Sequence, residues 1–308
     1  MKLFDLHCDT PLELYRNNLQ LESNDLHVSL SKASVFDKYV QCTAIFSRKE
    51  LSDEECFSEF LKISEDFQSR ANGLMIKTAE QLENCKKAAF ILTVEDARLV
   101  SKDLDRISLL YEKGVRVITL LWSGKTSVGC GWDTDGPLTD RGCEILERLF
   151  DTGIVPDISH ANDTATEYAL KRSSARKKPV IATHSNSRSV CSHKRNLTDE
   201  NARRISLLGG IVGVSLYPPH LSSKDVAEIS HITDHISHYI NICGSEAVCL
   251  GCDFDGIDKT PEGISHIGSL PRLYDALSHR FSEDLCDSVF YNNAYKFFTN
   301  NLPRGKTK

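Results

Sequence analysis

Near-continuous apolar runs, rich in Val, Ile and Leu, recur along this chain with helical stretches between them. They lie near Leu3–Leu6, Val40–Ile45, Ala88–Val94, Val115–Leu121, Ile154–Ile158, Val180–Thr183, Ile211–Leu216 and Val248–Gly251. A run without polar alternation suits a strand covered on both faces, the condition inside a parallel sheet. The intervening pattern predicts helices over Asp53–Ala71, Lys102–Glu112, Thr139–Asp151, Asp163–Arg172, Asp199–Leu208 and Asp225–Cys243. Asp or Thr often opens them, as suits an N-cap, and Gly114, Gly153, Gly209 and Gly244 follow their ends. Eight strands with helical crossovers in 308 residues fit an α/β fold, a (β/α)8 TIM-type barrel. The competing arrangement is an open doubly wound sheet, but no Gly-x-Gly-x-x-Gly follows the first strand. The connection from Leu6 to Val40 has weak helical character and reads as a loop or hairpin over the barrel mouth. Residues after about Pro271 read as two closing helices. No repeat or interdomain linker interrupts the pattern, so one catalytic domain is expected over 1–303, with a tail at 304–308.

Composition narrows the function classes. A net charge of -6 and the lack of a basic stripe argue against a nucleic-acid partner. The run Lys171 to Lys178 is broken by serines and reads as a solvated helix end. No stretch approaches ~20 uninterrupted apolar residues, so no membrane span is expected. The first strand begins at once, which leaves no room for a signal peptide and points to the cytoplasm. Cysteine usage agrees: the count of 11 is odd, and Cys42, Cys249 and Cys252 sit inside apolar runs, as reduced thiols do. The one Cys-x-x-Cys, Cys249 to Cys252, has no matching second pair and reads as packing.

The informative polar residues stand at strand ends. His7 and Asp9, two positions apart, leave one face of the first strand roughly 6.6 Å apart along the chain. Glu95 ends the third strand, His160 the fifth, His184 the sixth and Asp253 the eighth. All six fall at carboxyl ends, the face where barrel enzymes build their sites. Taken singly, each has an ordinary explanation: Glu95 could pair with Arg98, and Asp157 and Asp163, which flank His160, could cap helices. Together, three histidines, two aspartates and a glutamate on one rim are too many ionisable groups to leave unpaired, and a metal pair would neutralise them. Cys8 should face away from His7 and Asp9 into the core. His231, His235 and His238 share one helical face and read as a polar surface. His27, His193, His220, His266 and His279 receive no role. A serine nucleophile elbow and a phosphate-binding loop are both absent.

These residues, read in order, resemble the membrane (renal) dipeptidase family of zinc peptidases, especially its soluble bacterial members. The likeness is carried by Phe4-Asp-Leu-His7-Cys-Asp9, Val94-Glu95-Asp96, Gly114-Val-Arg-Val-Ile-Thr-Leu120, Asp157-Ile-Ser-His160, Thr183-His184-Ser-Asn-Ser-Arg188, Arg195-Asn196-Leu197 and Gly251-Cys-Asp253-Phe-Asp255-Gly256. The resemblance implies two Zn ions per chain, with His7 and Asp9 on one, His160 and His184 on the other, and Glu95 bridging. It implies that Arg195 holds a substrate carboxylate, that Asp253 is the general acid/base, and that Tyr217 lines the substrate pocket. The implied substrate is a dipeptide, with C-terminal D-residues open, and the implied oligomer is a homodimer. One departure stands out. Mammalian members carry a substrate-contacting histidine after the fourth strand, whereas this chain has Trp122 in Thr119-Leu120-Leu121-Trp122. An indole donates one hydrogen bond and carries no proton. The same metals acting on N-acyl amino acids or other small amides, or a metal-loaded binding protein without turnover, remain competing functions.

Overall fold

The computed structural model describes residues 1–305, so part of the expected 304–308 tail lies outside the described residues. Seven strands form one all-parallel sheet: β1 (Lys2–Cys8), β2 (Lys38–Phe46), β3 (Ala88–Glu95), β4 (Val115–Thr119), β5 (Val155–Asp157), β6 (Val212–Val214) and β7 (Val248–Leu250). Their order across the sheet is β5-β4-β3-β2-β1-β7-β6. Each matches an expected apolar run. The expected strand at Val180–Thr183 differs: it makes only single parallel bridges, Asp157 to Ile181 on one side and Ala182 to Val212 on the other. Its backbone bonds nevertheless reach both edge strands, through Ile181 N–H to Pro156 O at 3.1 Å and Gly213 N–H to Ala182 O at 2.8 Å.

Burial explains why these runs are so uniformly apolar. One core cluster lies between the sheet and the surrounding helices and includes Leu3, Leu92, Ile118, Leu146 and Ile236. A second gathers on the opposite face and takes Phe4, Val40, Ile91, Val117, Val155, Ile181 and Cys249. The C-terminal helix (Asn293–Asn301) closes this second cluster, with Phe298 stacked on Phe4 at 5.1 Å between ring centroids. Strands buried on both faces cannot alternate polar and apolar side chains.

The helices follow their caps. Ser52 and Glu55 form a capping box at the start of Asp53–Ala71. Thr139, Asn162 and Thr198 cap the helices that begin at Asp140, Asp163 and Asp199. Gly114 closes Asp105–Lys113 with φ 106°, a left-handed conformation in which glycine carries no Cβ penalty. The region read as a loop or hairpin after the first strand contains a helix at Thr10–Asn17, with proline in its first turn. Its short apolar pattern understated it. After Pro271 the chain forms Pro271–Ser278 and then a run from Glu283 to Asn301 that contains a π-helical turn at Ser288–Asn292. The basic stretch after Lys171 is ion-paired helix surface, Arg172 with Glu147 and Arg176 with Asp151.

Candidate active site

The site begins with a defect in β1. Leu3 packs in the helix-facing cluster, and Phe4 and Leu6 in the other. Strict alternation would put Cys8 beside Phe4 and Leu6, yet it lies with Leu3. The register of β1 against β2 shifts between Asp5 and Cys8, and this irregularity resets the phase. His7 and Asp9 therefore point into the mouth while Cys8 goes to the core. The β7 exit is fastened to the same point, because Asp253 N–H donates to His7 O at 3.1 Å and Asp9 N–H to Phe254 O at 2.9 Å.

Six of the residues expected to act together meet here. His7 Nε2 lies 3.4 Å from Asp9 Oδ2, 3.7 Å from Glu95 Oε2 and 3.8 Å from Asp253 Oδ1. Glu95 Oε1 lies 2.9 Å from His160 Nε2 and 3.5 Å from His184 Nε2. The two latter imidazoles approach within 2.8 Å through their Nε2 atoms. Glu95 thus faces all three rings, not Arg98, whose guanidinium bonds Asp96 at 2.9 Å. His7, Glu95 and His184 offer ligand atoms within 4.8 Å of one another, and so do His7, Asp9 and Asp253. Asp253, expected as the acid/base, thus stands among the donors.

Burial and charge set the protonation of the group. Glu95 is raised by burial, but the His7 charge and the hydrogen bond from His160 outweigh that and hold it well below the usual carboxylate range. Burial, then the nearby Arg195 charge, pushes His160 down to about 4. Burial and the His7 charge likewise take His184 well below its ordinary value. His7 goes the other way, since Glu95 and Asp9 overcome the desolvation that would lower it. Burial raises Asp9 to about 6 and Asp253 well above the usual range, with His7 opposing in both. His7 Nε2 and Asp9 Oδ1 are fully buried without a hydrogen-bond partner. Buried polar atoms are normally paired. Imidazole and carboxylate donors left open beside one another fit divalent metal ions such as zinc.

A cavity of about 450 Å³ opens above this group, lined in part by Asp9, Glu95, His160 and Asp253. Trp122 forms one wall, its ring 4.8 Å from Phe46 and 6.1 Å from His160. Tyr217 lines another, at the start of the short helix Pro218–Leu221. Arg195 is not among the residues that line the cavity and is only 3% exposed; Nη1 donates to Ser185 Oγ and Nη2 to His184 O, each at 2.8 Å, while Nε has no partner. Burial lowers its guanidinium to about 10, against the pull of Asp253 and other carboxylates.

A family model described as membrane dipeptidase, peptidase family M19, matches residues 1–302. The chain belongs to this family. Dipeptidase 3 of Mus musculus is 30% identical over 233 residues, which are 73% of this chain but 47% of that protein. The M19 chain thus spans about half the length of the Dipeptidase 3 relatives it matches. An uncharacterised protein from the pqqA 5′ region of Klebsiella pneumoniae is 28% identical, over 72% of this chain and 87% of its own. Among solved structures, an M19 metallopeptidase described as dipeptidase AC superposes with a TM-score of 0.88 at 25% identity, over 98% of this chain and 99% of that one. A Rhodobacter sphaeroides metallopeptidase, solved with a phosphinate mimic of L-Ala-D-Ala, gives 0.89 at 23% identity with the same coverage.

Several residues take places that the sequence did not announce. His220, left without a role, lines the cavity and packs 4.6 Å from the His193 ring and 4.8 Å from Tyr217. Trp132 extends that wall, 5.2 Å from His193. Asp157 is no helix cap: it is fully buried at the end of β5 and accepts from Thr119, Ser159 and Thr183. Asp163 sits in the first turn of its helix and pairs with Arg188. His235 is no surface residue either; it is buried, accepting from Ser187 N–H at 3.0 Å and lying 3.1 Å from Leu221 O. All 11 cysteines are free thiols, Cys249 and Cys252 among the buried ones. No helix among the described residues is long and apolar enough to cross a membrane.

Proposed function

We propose that this chain is a metal-dependent dipeptidase with a binuclear zinc site at the mouth of a (β/α)8 barrel, formed by one catalytic domain over residues 1–303. The barrel reading is supported by the segment at Ile181 and Ala182, which bridges both edge strands. One observation carries the metal reading: donors from five separate strand ends converge, and His7 Nε2 and Asp9 Oδ1 remain buried and open. His7 and Asp9 would hold one ion, His160 and His184 the other, and Glu95 would bridge them. When bound, such a pair supplies an activated water and draws charge from a carbonyl oxygen.

The chain's own residues account for the rest of the reaction. Arg195 has five N–H groups and uses two on Ser185 and His184, so its remaining hydrogens can hold a substrate carboxylate. Its burial strengthens that bond and disfavours peptides that carry an amide there. Asp253, beside the cavity, collects the proton of the attacking water and delivers it to the departing amine. Trp122 and Phe46 exclude water from one side of the scissile bond, and Tyr217 confines the substrate on the other. Metal analysis of purified protein, with a panel of L-L and L-D dipeptides assayed before and after chelation, tests the reading. About two zinc ions per chain and chelator-sensitive hydrolysis are expected, and His160→Ala should abolish turnover in a folded protein. Metal-replete protein inert on the whole panel overturns it.

The apolar wall at Trp122 and Phe46 favours a second reading, hydrolysis of N-acyl amino acids by the same residues. A greater kcat/KM on N-acyl amino acids than on any dipeptide would select it. Trp122→His should then move the preference back towards dipeptides.

A further inference from the structure

We infer that Asp157, acting through the Thr183 hydroxyl, is a positioning residue that fixes which ring nitrogen of His184 carries hydrogen, leaving Nε2 as the bare lone pair turned towards Glu95. The argument is a hydrogen count. Asp157 Oδ1 accepts from two backbone donors, Ser159 N–H and Thr183 N–H, both at 2.9 Å. Its Oδ2 is contacted by two hydroxyls, Thr119 Oγ1 and Thr183 Oγ1, each at 2.6 Å. With Oδ1 held by two amide hydrogens and no other polar group supplying a hydrogen to Oδ2, both hydroxyls must donate to the carboxylate. The single hydrogen of Thr183 is thereby committed. A weaker neighbour, Ser159 Oγ at 3.4 Å, does not compete for it. Thr183 Oγ1 also lies 2.8 Å from His184 Nδ1, and with its hydrogen spent it can only accept there. His184 Nδ1 therefore bears the hydrogen. Nε2 bears none, and it is this atom that stands 2.8 Å from His160 Nε2 and 3.5 Å from Glu95 Oε1.

A ring nitrogen that carries hydrogen cannot donate a lone pair to a cation, so the hydroxyl relay decides whether His184 is a competent ligand at all. The backbone adds a second restraint, since His184 N–H donates to Ser159 Oγ and Arg195 donates to His184 O. These hold the residue in place but say nothing of its tautomer. At Nδ1 the tautomer is set by the Asp157–Thr183 link.

Asp157→Asn tests this with minimal disturbance. The amide oxygen replaces Oδ1 and keeps both backbone bonds. The amide nitrogen replaces Oδ2 and brings two hydrogens, one for each hydroxyl. Thr183 then turns its own hydrogen onto His184 Nδ1, and the ring must move its hydrogen to Nε2. In metal-free, 15N-histidine-labelled protein, two-bond 1H–15N correlations should show one imidazole passing from the Nδ1–H to the Nε2–H pattern. Zinc affinity, measured by chelator competition, should fall about 10–100-fold. Thr183→Ser keeps the relay and should retain the wild-type pattern and affinity. Thr183→Val removes the acceptor and should leave a mixed tautomer signal, which covers the case in which the asparagine variant fails to fold. An unchanged His184 pattern in folded Asp157→Asn overturns the inference, as does a serine variant that behaves like the valine one. The affinity arm rests on the zinc reading above, but the tautomer arm does not: wild-type protein that binds no zinc defeats that reading and leaves the spectra to decide this one.

Discussion

Gly256 offers the most direct perturbation of the carboxylate group. It lines the cavity beside the β7 exit. A Cβ built there would meet Asp9 Oδ2 at 2.2 Å and Asp253 Oδ1 at 2.6 Å. Real Cβ contacts begin near 3.0 Å, so Gly256→Ala must displace the first oxygen by about 0.8 Å and the second by about 0.4 Å. Both atoms are ends of side chains, so the backbone can stay where it is. The stability cost should fall at or below the low end of the overpacking range, about 1 kcal/mol. Function should suffer far more. Displacement of catalytic or ligand atoms by most of an ångström can cost on the order of 10²-fold in rate. The assay pairs thermal unfolding with zinc stoichiometry and kcat/KM on the best dipeptide. A melting point within a few degrees of wild type, with lost metal and a rate down about 100-fold, is expected. Full metal content and a rate within twofold would refute the reasoning, since the two oxygens could then move without consequence.

Three further outcomes follow from other parts of the molecule. Arg195→Lys keeps a charge but loses the fork, so KM for dipeptides should rise about 10-fold or more while amide-capped analogues change little; equal effects on both would remove the carboxylate role. Phe298→Ala opens the cluster beneath Phe4 and should cost about 3–5 kcal/mol in denaturant unfolding, with metal stoichiometry intact in the folded fraction. Burial lowers His235 to about 4 despite the helping bond to Leu221, with His238, His231 and Asp234 as its charged neighbours. The unfolded chain takes up that proton near pH 6.5. Stability is therefore full above 6.5 and falls as pH drops towards about 4, by about 2 kcal/mol at pH 5. A His235→Asn variant should show a flatter pH dependence of unfolding across that window, and an identical slope would exclude His235 as a source.

The apolar runs made the parallel strands legible because strands buried on both faces leave an unbroken hydrophobic record. They also hid a distinction. Val180–Thr183 is as apolar as its neighbours, yet it pairs through single bridges, because its carboxyl end turns at once into the site. The site donors were readable from their place at strand ends, and Glu95, His160 and His184 do converge. What sequence could not supply is contact across distant elements. His220 reaches the cavity from the short helix Pro218–Leu221 and Trp132 from a separate loop, and nothing in Tyr217-Pro-Pro-His220 announces a wall. Asp157 looked like a capping residue because an aspartate before a helix usually is one; its two hydroxyl partners come from β4 and from the segment before His184. The shift in β1 was equally silent, although it alone explains why His7 faces the mouth.

Strain marks the same rim. Asp96, His160, Asp253 and Asp255 all adopt φ between 65° and 73°, a left-handed region that non-glycine residues avoid. Each conformation costs of order 1–3 kcal/mol and persists only where surrounding contacts impose it. Those contacts are present. Arg98 grips Asp96 through both its backbone N–H and its guanidinium. Asp253 is tied to His7 O, and Asp255 accepts from Thr10 Oγ1 and His27 N–H, each at 2.6 Å. A strand that ran on in extended form would carry the next side chain past the mouth. A left-handed residue just past the strand reverses the backbone and, at His160 and Asp253, leaves the side chain lining the cavity. Glycine would relieve the strain at His160 or Asp253, but it would delete the group for whose placement the strain is kept. Elsewhere the same backbone occurs at the helix ends Asn18, Asn72 and Lys177, whereas at His160 and Asp253 it places a side chain of the proposed site, and the core below, with its uniform apolar layers, supplies the stability that makes it tolerable.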